Sequence, residues 1–180
     1  MKNRLSRSML RRATAGFTLL EVIVVVVIVG ILAAILAPGW LAMVNRQRAG
    51  AARDDVVEAL RTAQNDAKSR GVMRTVTFDT TVDPPTITYN GQTRNIGGEA
   101  EIKAGQIELL MQDGAGAVGA TMDITFNPRG GVDAPDLPAS LAIGIPNTDV
   151  RRCAIVETLI GNVRTATERD NDPVPRTCTF

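Results

Sequence analysis

The sequence predicts an α+β fold: one long N-terminal α-helix, membrane-spanning in its first half and amphipathic in its second, packed on an antiparallel β-sheet. Three observations predict it. An uncharged run extends from Val22 to Val44, apolar residues then recur at helical spacing as far as Ala67, and from Arg74 onward short alternating segments are separated by Gly, Pro and Asn. A helix followed by a run of antiparallel strands makes a layered domain with the helix over one sheet face.

The uncharged run is longer than the roughly 20 helical residues that cross a hydrocarbon core. Ahead of it lie Lys2, Arg4, Arg7, Arg11 and Arg12 and no acid, a charge bias that holds the N-terminus in the cytoplasm and sends the remainder outward. With those five set aside, 15 basic side chains face 19 acidic ones. A generally basic surface for nucleic acid is therefore absent, although a local patch stays open. Glu21 sits at the edge of the apolar run, where a lone carboxylate in lipid costs about 2.5–3.5 kcal/mol and asks for a partner. An α-amino group made by cutting the chain after Gly16 is the candidate the sequence itself offers.

Gly16-Phe17-Thr18-Leu19-Leu20-Glu21, after a short basic leader and before an unbroken apolar run, resembles the class III signal of type IV prepilins and type II secretion pseudopilins. The resemblance implies that prepilin peptidase cleaves between Gly16 and Phe17 and methylates the new amine of Phe17. It also implies that Glu21 pairs with the N-terminal amine of a neighbouring subunit. Pro38 matches a proline that kinks or locally melts the family's helix, as a missing N–H and a ring clash predict. The domains expected are a cleaved leader (1–16), a transmembrane and assembly helix (17–44), and a periplasmic pilin-like domain (45–180) that includes the rest of the helix. The partners implied are prepilin peptidase, other pilin or pseudopilin subunits, an inner-membrane assembly platform and the lipid bilayer. Gly30, Ala33 and Ala34 allow helices to approach closely. An ordinary secretory peptide and a plain single-span anchor are the alternatives. The apolar run is too long for a usual secretory h-region, and the Gly-Phe-Thr-Leu-Leu-Glu block separates it from the basic leader.

Beyond Pro38, Ala52, Val56, Leu60, Ala63 and Ala67 form a stripe, with Arg53, Asp54, Asp55, Glu58, Arg61 and Asp66 on the other faces. This predicts the same helix continuing into water with one face on a domain, until Gly71 ends it. Strands are predicted at Arg74–Asp79, Thr86–Tyr89 and Thr93–Ile96, the last two joined through Asn90-Gly91, a type I′ hairpin signal. Further strands are predicted at Ile107–Met111, Met122–Phe126, Leu141–Ile145, Arg152–Glu157 and Asn162–Thr167. Gly114, Gly116 and Gly119 read as a flexible loop. They lack the Lys-Ser/Thr and the strand-to-helix step of a phosphate cradle. From Glu168 the tail is polar and Pro-punctuated.

Cys153 and Cys178 are the only cysteines. Both lie in the part directed to an oxidising compartment, so a disulfide is the natural reading, worth roughly 3–4 kcal/mol in the chain-entropy model for a loop of about 25 residues. Two buried free thiols are the alternative, and without histidine or a third cysteine no zinc site of the usual kind can be assembled. No cofactor is expected. Catalysis is not expected either: there is no histidine, Lys68 and Lys103 are the only lysines beyond the leader, and no nucleophile elbow, P-loop or paired-carboxylate pattern occurs.

Phe126-Asn127-Pro128-Arg129-Gly130-Gly131 resembles the F-x-P-x-G element of GspH/FimT-type pseudopilins; the plainer reading is a core Phe126 followed by a turn. Gly161-Asn162-Val163-Arg164 lies where DNA-binding minor pilins carry G-R-x-R. Gly161 and Arg164 match and Asn162 does not. Two arginines two residues apart on a strand point the same way and grip adjacent phosphates, whereas one grips weakly. Arg151, Arg152 and Arg164 converge only if their strands are neighbours, and Glu157, Glu168, Asp170 and Asp172 oppose them. The function expected is a minor pilin or pseudopilin. The alternatives are a DNA-binding minor pilin and a membrane-anchored binding domain that does not polymerise.

Overall fold

The computed structural model describes residues 16–97, 102–132, 137–157 and 159–166. Helix α1 spans Leu19–Arg70. Among the described residues nine strands follow: β1 (Arg74–Asp79), β2 (Thr86–Tyr89), β3 (Gln92–Asn95), β4 (Glu108–Gln112), β5 (Val118–Gly119), β6 (Thr121–Phe126), β7 (Ala139–Gly144), β8 (Arg151–Val156) and β9 (Val163–Ala166). Two compact units divide between Trp40 and Leu41.

In the first unit Thr18 caps the helix. Its Oγ1 accepts from Glu21 N at 3.2 Å and its carbonyl from Val22 N, so Thr18 and Glu21 hold the N-cap and N3 places of a Thr-x-x-Glu capping box. The acid of the first turn also faces the positive end of the helix dipole. Beyond it every large apolar residue from Val22 to Leu36 is about half exposed or more, and the helix contains a stretch long and apolar enough to cross a membrane.

In the second unit α1 does what its stripe requires. Ala49, Ala52, Val56, Leu60, Ala63 and Ala67 have no exposed surface, the small alanines letting the helix lie close to what it covers. Gly71, at φ 68°, ends it with its N–H on the Ala67 carbonyl at 3.0 Å, a left-handed C-cap. The expected single sheet is two antiparallel sheets, one ordered β3-β2-β1-β6 and one β5-β4-β7-β8-β9. Helix and both sheets share one core.

The period of two decides each face. Val76, Phe78, Ile87, Ile124 and Phe126 point inward. On the outer face Thr75 meets Thr125 at 2.8 Å, Thr77 donates to Asp123 at 2.6 Å, and Thr88 meets Thr93 at 2.8 Å, cross-strand pairs that lock register. β7 is buried along its whole length because it is the middle strand of its sheet. Leu141 and Ile143 enter the main core, and Ala142 joins Cys153 and Ile155 in a second cluster on the opposite face.

β1 and β2 match their expected limits, and the other expected strands shift by one or two residues at one or both ends. At Asn90 (φ 53°) and Gly91 (φ 76°) the chain turns with both residues left-handed, as type I′ demands. β5 was not anticipated: two residues of the expected glycine loop pair with β4, Met111 opposite Gly119 and Gln112 opposite Val118. A two-residue strand has no alternation to read, only a neighbour to pair with.

Two helix acids expected on the solvated faces are anchors instead. Asp55 is buried, pairs with Arg94 and accepts Gly97 N at 2.9 Å. Asp66 accepts the Tyr89 hydroxyl at 2.8 Å and lies 2.5 Å from Arg70 Nε and 2.8 Å from Arg74 Nε. The Arg74 contact is ionic rather than a directed hydrogen bond, since its N–H has no acceptor in line. The Tyr89 hydrogen bond, with the two guanidiniums, holds the Asp66 carboxyl below its ordinary value, while burial and then Asp66 itself push the Tyr89 phenol up. A carboxyl whose folded value is depressed stabilises the fold above its unfolded value, and that stability is lost as pH falls through the folded one. Wild type is therefore expected to be more stable than Asp66→Asn at neutral pH, with the difference shrinking below pH 3.8. Thermal unfolding of both proteins from neutral pH into acid checks this.

Candidate functional site

Gly16, Phe17 and Thr18 precede the first helical turn in non-helical backbone. Phe17 is 83% exposed, and a Cβ placed on Gly16 would meet nothing within 4 Å. The Gly16–Phe17 peptide is thus accessible and not committed to helical hydrogen bonds, the state a peptidase needs in a substrate. Glu21 follows one turn inside the capped helix, within reach of whatever occupies the helix N-terminus. Pro38 lies within the span of α1. Its missing N–H still leaves the Ala34 carbonyl without its helical donor.

The three arginines do not converge. β8 and β9 are neighbours, but Arg152 pairs with Ile143 on the core-facing side, and Arg151 and Arg164 belong to the opposite side. Arg151 stands four residues along β8 from Ile155, the partner of Arg164, or about 13 Å at strand spacing. Arg164 is held 2.7 Å from Glu157, and Arg151 and Arg152 are half-buried and engaged. Neither a paired grip on phosphates nor a three-arginine patch is present at these strands.

Cys153 is buried on β8 and is not a free thiol. Cys178 and the acids Glu168, Asp170 and Asp172 lie outside the described residues. Among the described residues no group of three Cys, Asp or Glu side chains is placed to hold a metal ion.

The two glycine motifs singled out in the sequence meet at one place. Phe126 is fully buried, and Asn127 turns the chain by accepting Arg129 N and Gly131 N at 3.0 Å on its Oδ1. The Gly130 carbonyl so presented takes the Gln64 side-chain amide at 2.8 Å, and the Gly161 carbonyl takes the same amide at 2.9 Å. Val132 N donates to the Leu159 carbonyl at 3.0 Å, closing the junction from the other side. Gln64 was missed in the sequence, where it is one polar residue beside the Ala63 of the stripe. The available signal was two glycine-rich turns with exposed carbonyls and a helix long enough to reach both.

Residues 11–37 match the family model for the prokaryotic N-terminal methylation motif. This N-terminus is a prokaryotic methylation motif. The match covers residues 11–16, the Gly16–Phe17 junction, Glu21 and the apolar run as far as Ala37. A solved structure, the type IV minor pilin FimU of Pseudomonas aeruginosa, is similar over 71% of this chain and 92% of that one, at 16% identity and a TM-score of 0.42. A likeness that distant transfers no role, and what the comparisons show for this chain is the methylation motif at its N-terminus.

Proposed function

We propose that the chain is a minor pilin or pseudopilin, made as an inner-membrane prepilin. Prepilin peptidase cuts it between Gly16 and Phe17 and methylates Phe17, and the product joins or primes a type IV pilus or a type II secretion pseudopilus. The observation that carries the reading is an accessible Gly16–Phe17 peptide directly ahead of a capped, membrane-length helix. Among the described residues the large apolar side chains of that helix from Val22 to Leu36 are about half exposed or more. In lipid such a helix associates through close packing at small residues, here Gly30, Ala33 and Ala34. Glu21 sets register because its charge is satisfied only where another subunit's Phe17 amine arrives.

In this reading residues 1–16 are removed, residues 17–44 are the membrane and assembly helix, and residues 45–180 work in the periplasm. The assembly platform of the inner membrane handles the processed subunit. A disulfide between Cys153 and Cys178 fastens the C-terminal tail to β8.

Mass spectrometry of the full chain co-expressed with prepilin peptidase tests this. The mature protein is expected to lack residues 1–16, to carry one added methyl, and, unreduced, to weigh two hydrogens less than its reduced form. An unshifted mass removes the pilin reading. A processed chain without the two-hydrogen difference removes only the disulfide.

A further inference from the structure

We propose that the Leu159–Ile160 tip between β8 and β9, with Arg61, Lys68 and Arg129 around it, is a docking ledge for an acidic face of a neighbouring filament subunit. The proposal rests on the reading that the chain assembles.

Leu159 and Ile160 are 71% and 76% exposed, the most exposed large apolar residues described in the unit from Leu41 onward. They are not on a loose end. The Leu159 carbonyl accepts Val132 N, and the adjoining Gly161 and Gly130 carbonyls are bound by Gln64. Two apolar side chains are thereby presented to water by backbone already fixed in place, which lowers the ordering cost of binding and suits recognition of another folded surface. Beside them lies a cleft of about 290 Å³ lined by Arg61, Gln64, Ile160, Gly161, Asn162 and Val163.

The charge around the tip names the partner's chemistry. Arg61 lines the cleft, the Lys68 stem lies against Gly130, and Arg129 is in the same turn. All three are exposed, and none has an ion pair among the described residues, where Glu157 is already taken by Arg164. Outside the leader the chain has more acidic than basic residues, so three cations beside an apolar tip, without ion pairs among the described residues, run against its overall charge. The complementary surface carries carboxylates around an apolar recess. A tip on one subunit meeting a different surface on the next is a heterologous contact, the kind that propagates a helical filament.

The test uses the full chain in cells that process and assemble it, with Ile160 replaced by a photoreactive phenylalanine. Irradiation of sheared filaments is expected to give an adduct that maps to a carboxylate-bearing surface of a co-assembled subunit. Adding Arg61→Glu, Lys68→Glu and Arg129→Glu is expected to lower its yield about tenfold, the product of three rim pairs of ordinary strength, while cleavage after Gly16 continues. Thermal unfolding of this variant should match that of the parent, because the three side chains are exposed. Should it not, Leu159→Ser with the same readout replaces it, and is expected to lower the yield without any change of charge. A chain that is processed and present in filaments but gives no adduct, an adduct on lipid or nucleic acid, or one indifferent to these substitutions overturns the proposal. A chain that is processed but absent from filaments overturns the assembly reading, and the ledge with it.

Discussion

Glu21→Ala is expected to leave cleavage between Gly16 and Phe17 intact while incorporation into filaments falls about a hundredfold, the factor that roughly 2.5–3.5 kcal/mol of unpaired charge in lipid implies. The Gly16–Phe17 peptide lies outside the helix and Glu21 lies inside it, so in the proposed function the peptidase can act on a chain whose assembly contact is gone. The position has a rival explanation, because Glu21 stands at N3 behind the Thr18 cap, the place from which a side-chain carboxylate bonds the N-cap N–H in a capping box. Glu21→Gln separates the two. Glutamine serves a capping box as glutamate does but carries no charge to pair with an amine. If assembly needs the charge, Gln behaves as Ala does; assembly restored by Gln assigns Glu21 to the cap. Immunoblots of sheared filaments against whole cells, with the processed mass checked in each strain, give the answer.

Gly161→Ala is expected to destabilise the unit from Leu41 onward by about 2–4 kcal/mol, lowering its melting temperature by roughly 10 °C. Two costs add. The residue sits at φ 73°, where a Cβ crowds the backbone, and that Cβ would lie 2.4 Å from the Gly130 carbonyl oxygen and 2.6 Å from Gln64 Nε2. The neighbours are a backbone oxygen and an amide already bonded to it, so neither can swing aside without breaking the junction. Gly105→Ala is the control. Gly105 has φ 74° with nothing within 4 Å of the added carbon, so it pays the conformational cost alone, about 1–2 kcal/mol. Thermal unfolding of the two variants in detergent separates close approach from backbone strain. Equal losses would mean that the Gln64 junction contributes nothing.

How well each part was legible follows from how local its cause is. The apolar run, the helix stripe and the Asn90-Gly91 turn each carry a period or a φ requirement within a few residues, and Ala52, Val56, Leu60, Ala63 and Ala67 all lost their exposed surface as that period demands. Asp55 and Asp66 were misread as solvated because the period reports only which face a residue occupies. Arg94, Gly97 and Tyr89, which take up their charge and lone pairs, are brought there by a sheet 23 or more residues away in sequence. Residue type did not settle the arginines either. Arg151 and Arg152 differ by one position, and one position on a strand is the difference between opposite faces of a sheet.

The sequence by itself determined that one long helix leads the chain, which half of that helix is apolar throughout and which half keeps one face for a core. These depend on neighbouring residues and on a choice between water and lipid, which composition records directly. The tertiary structure alone decided that the strands divide into two sheets, that Gln64 joins the turn after Phe126 to the turn before β9, and that Leu159 and Ile160 stand outside the core beside cations that have no ion pair among the described residues. Those features depend on which distant segments become neighbours, and side-chain hydrogen bonds and charge pairs over such separations have no period for a sequence to display.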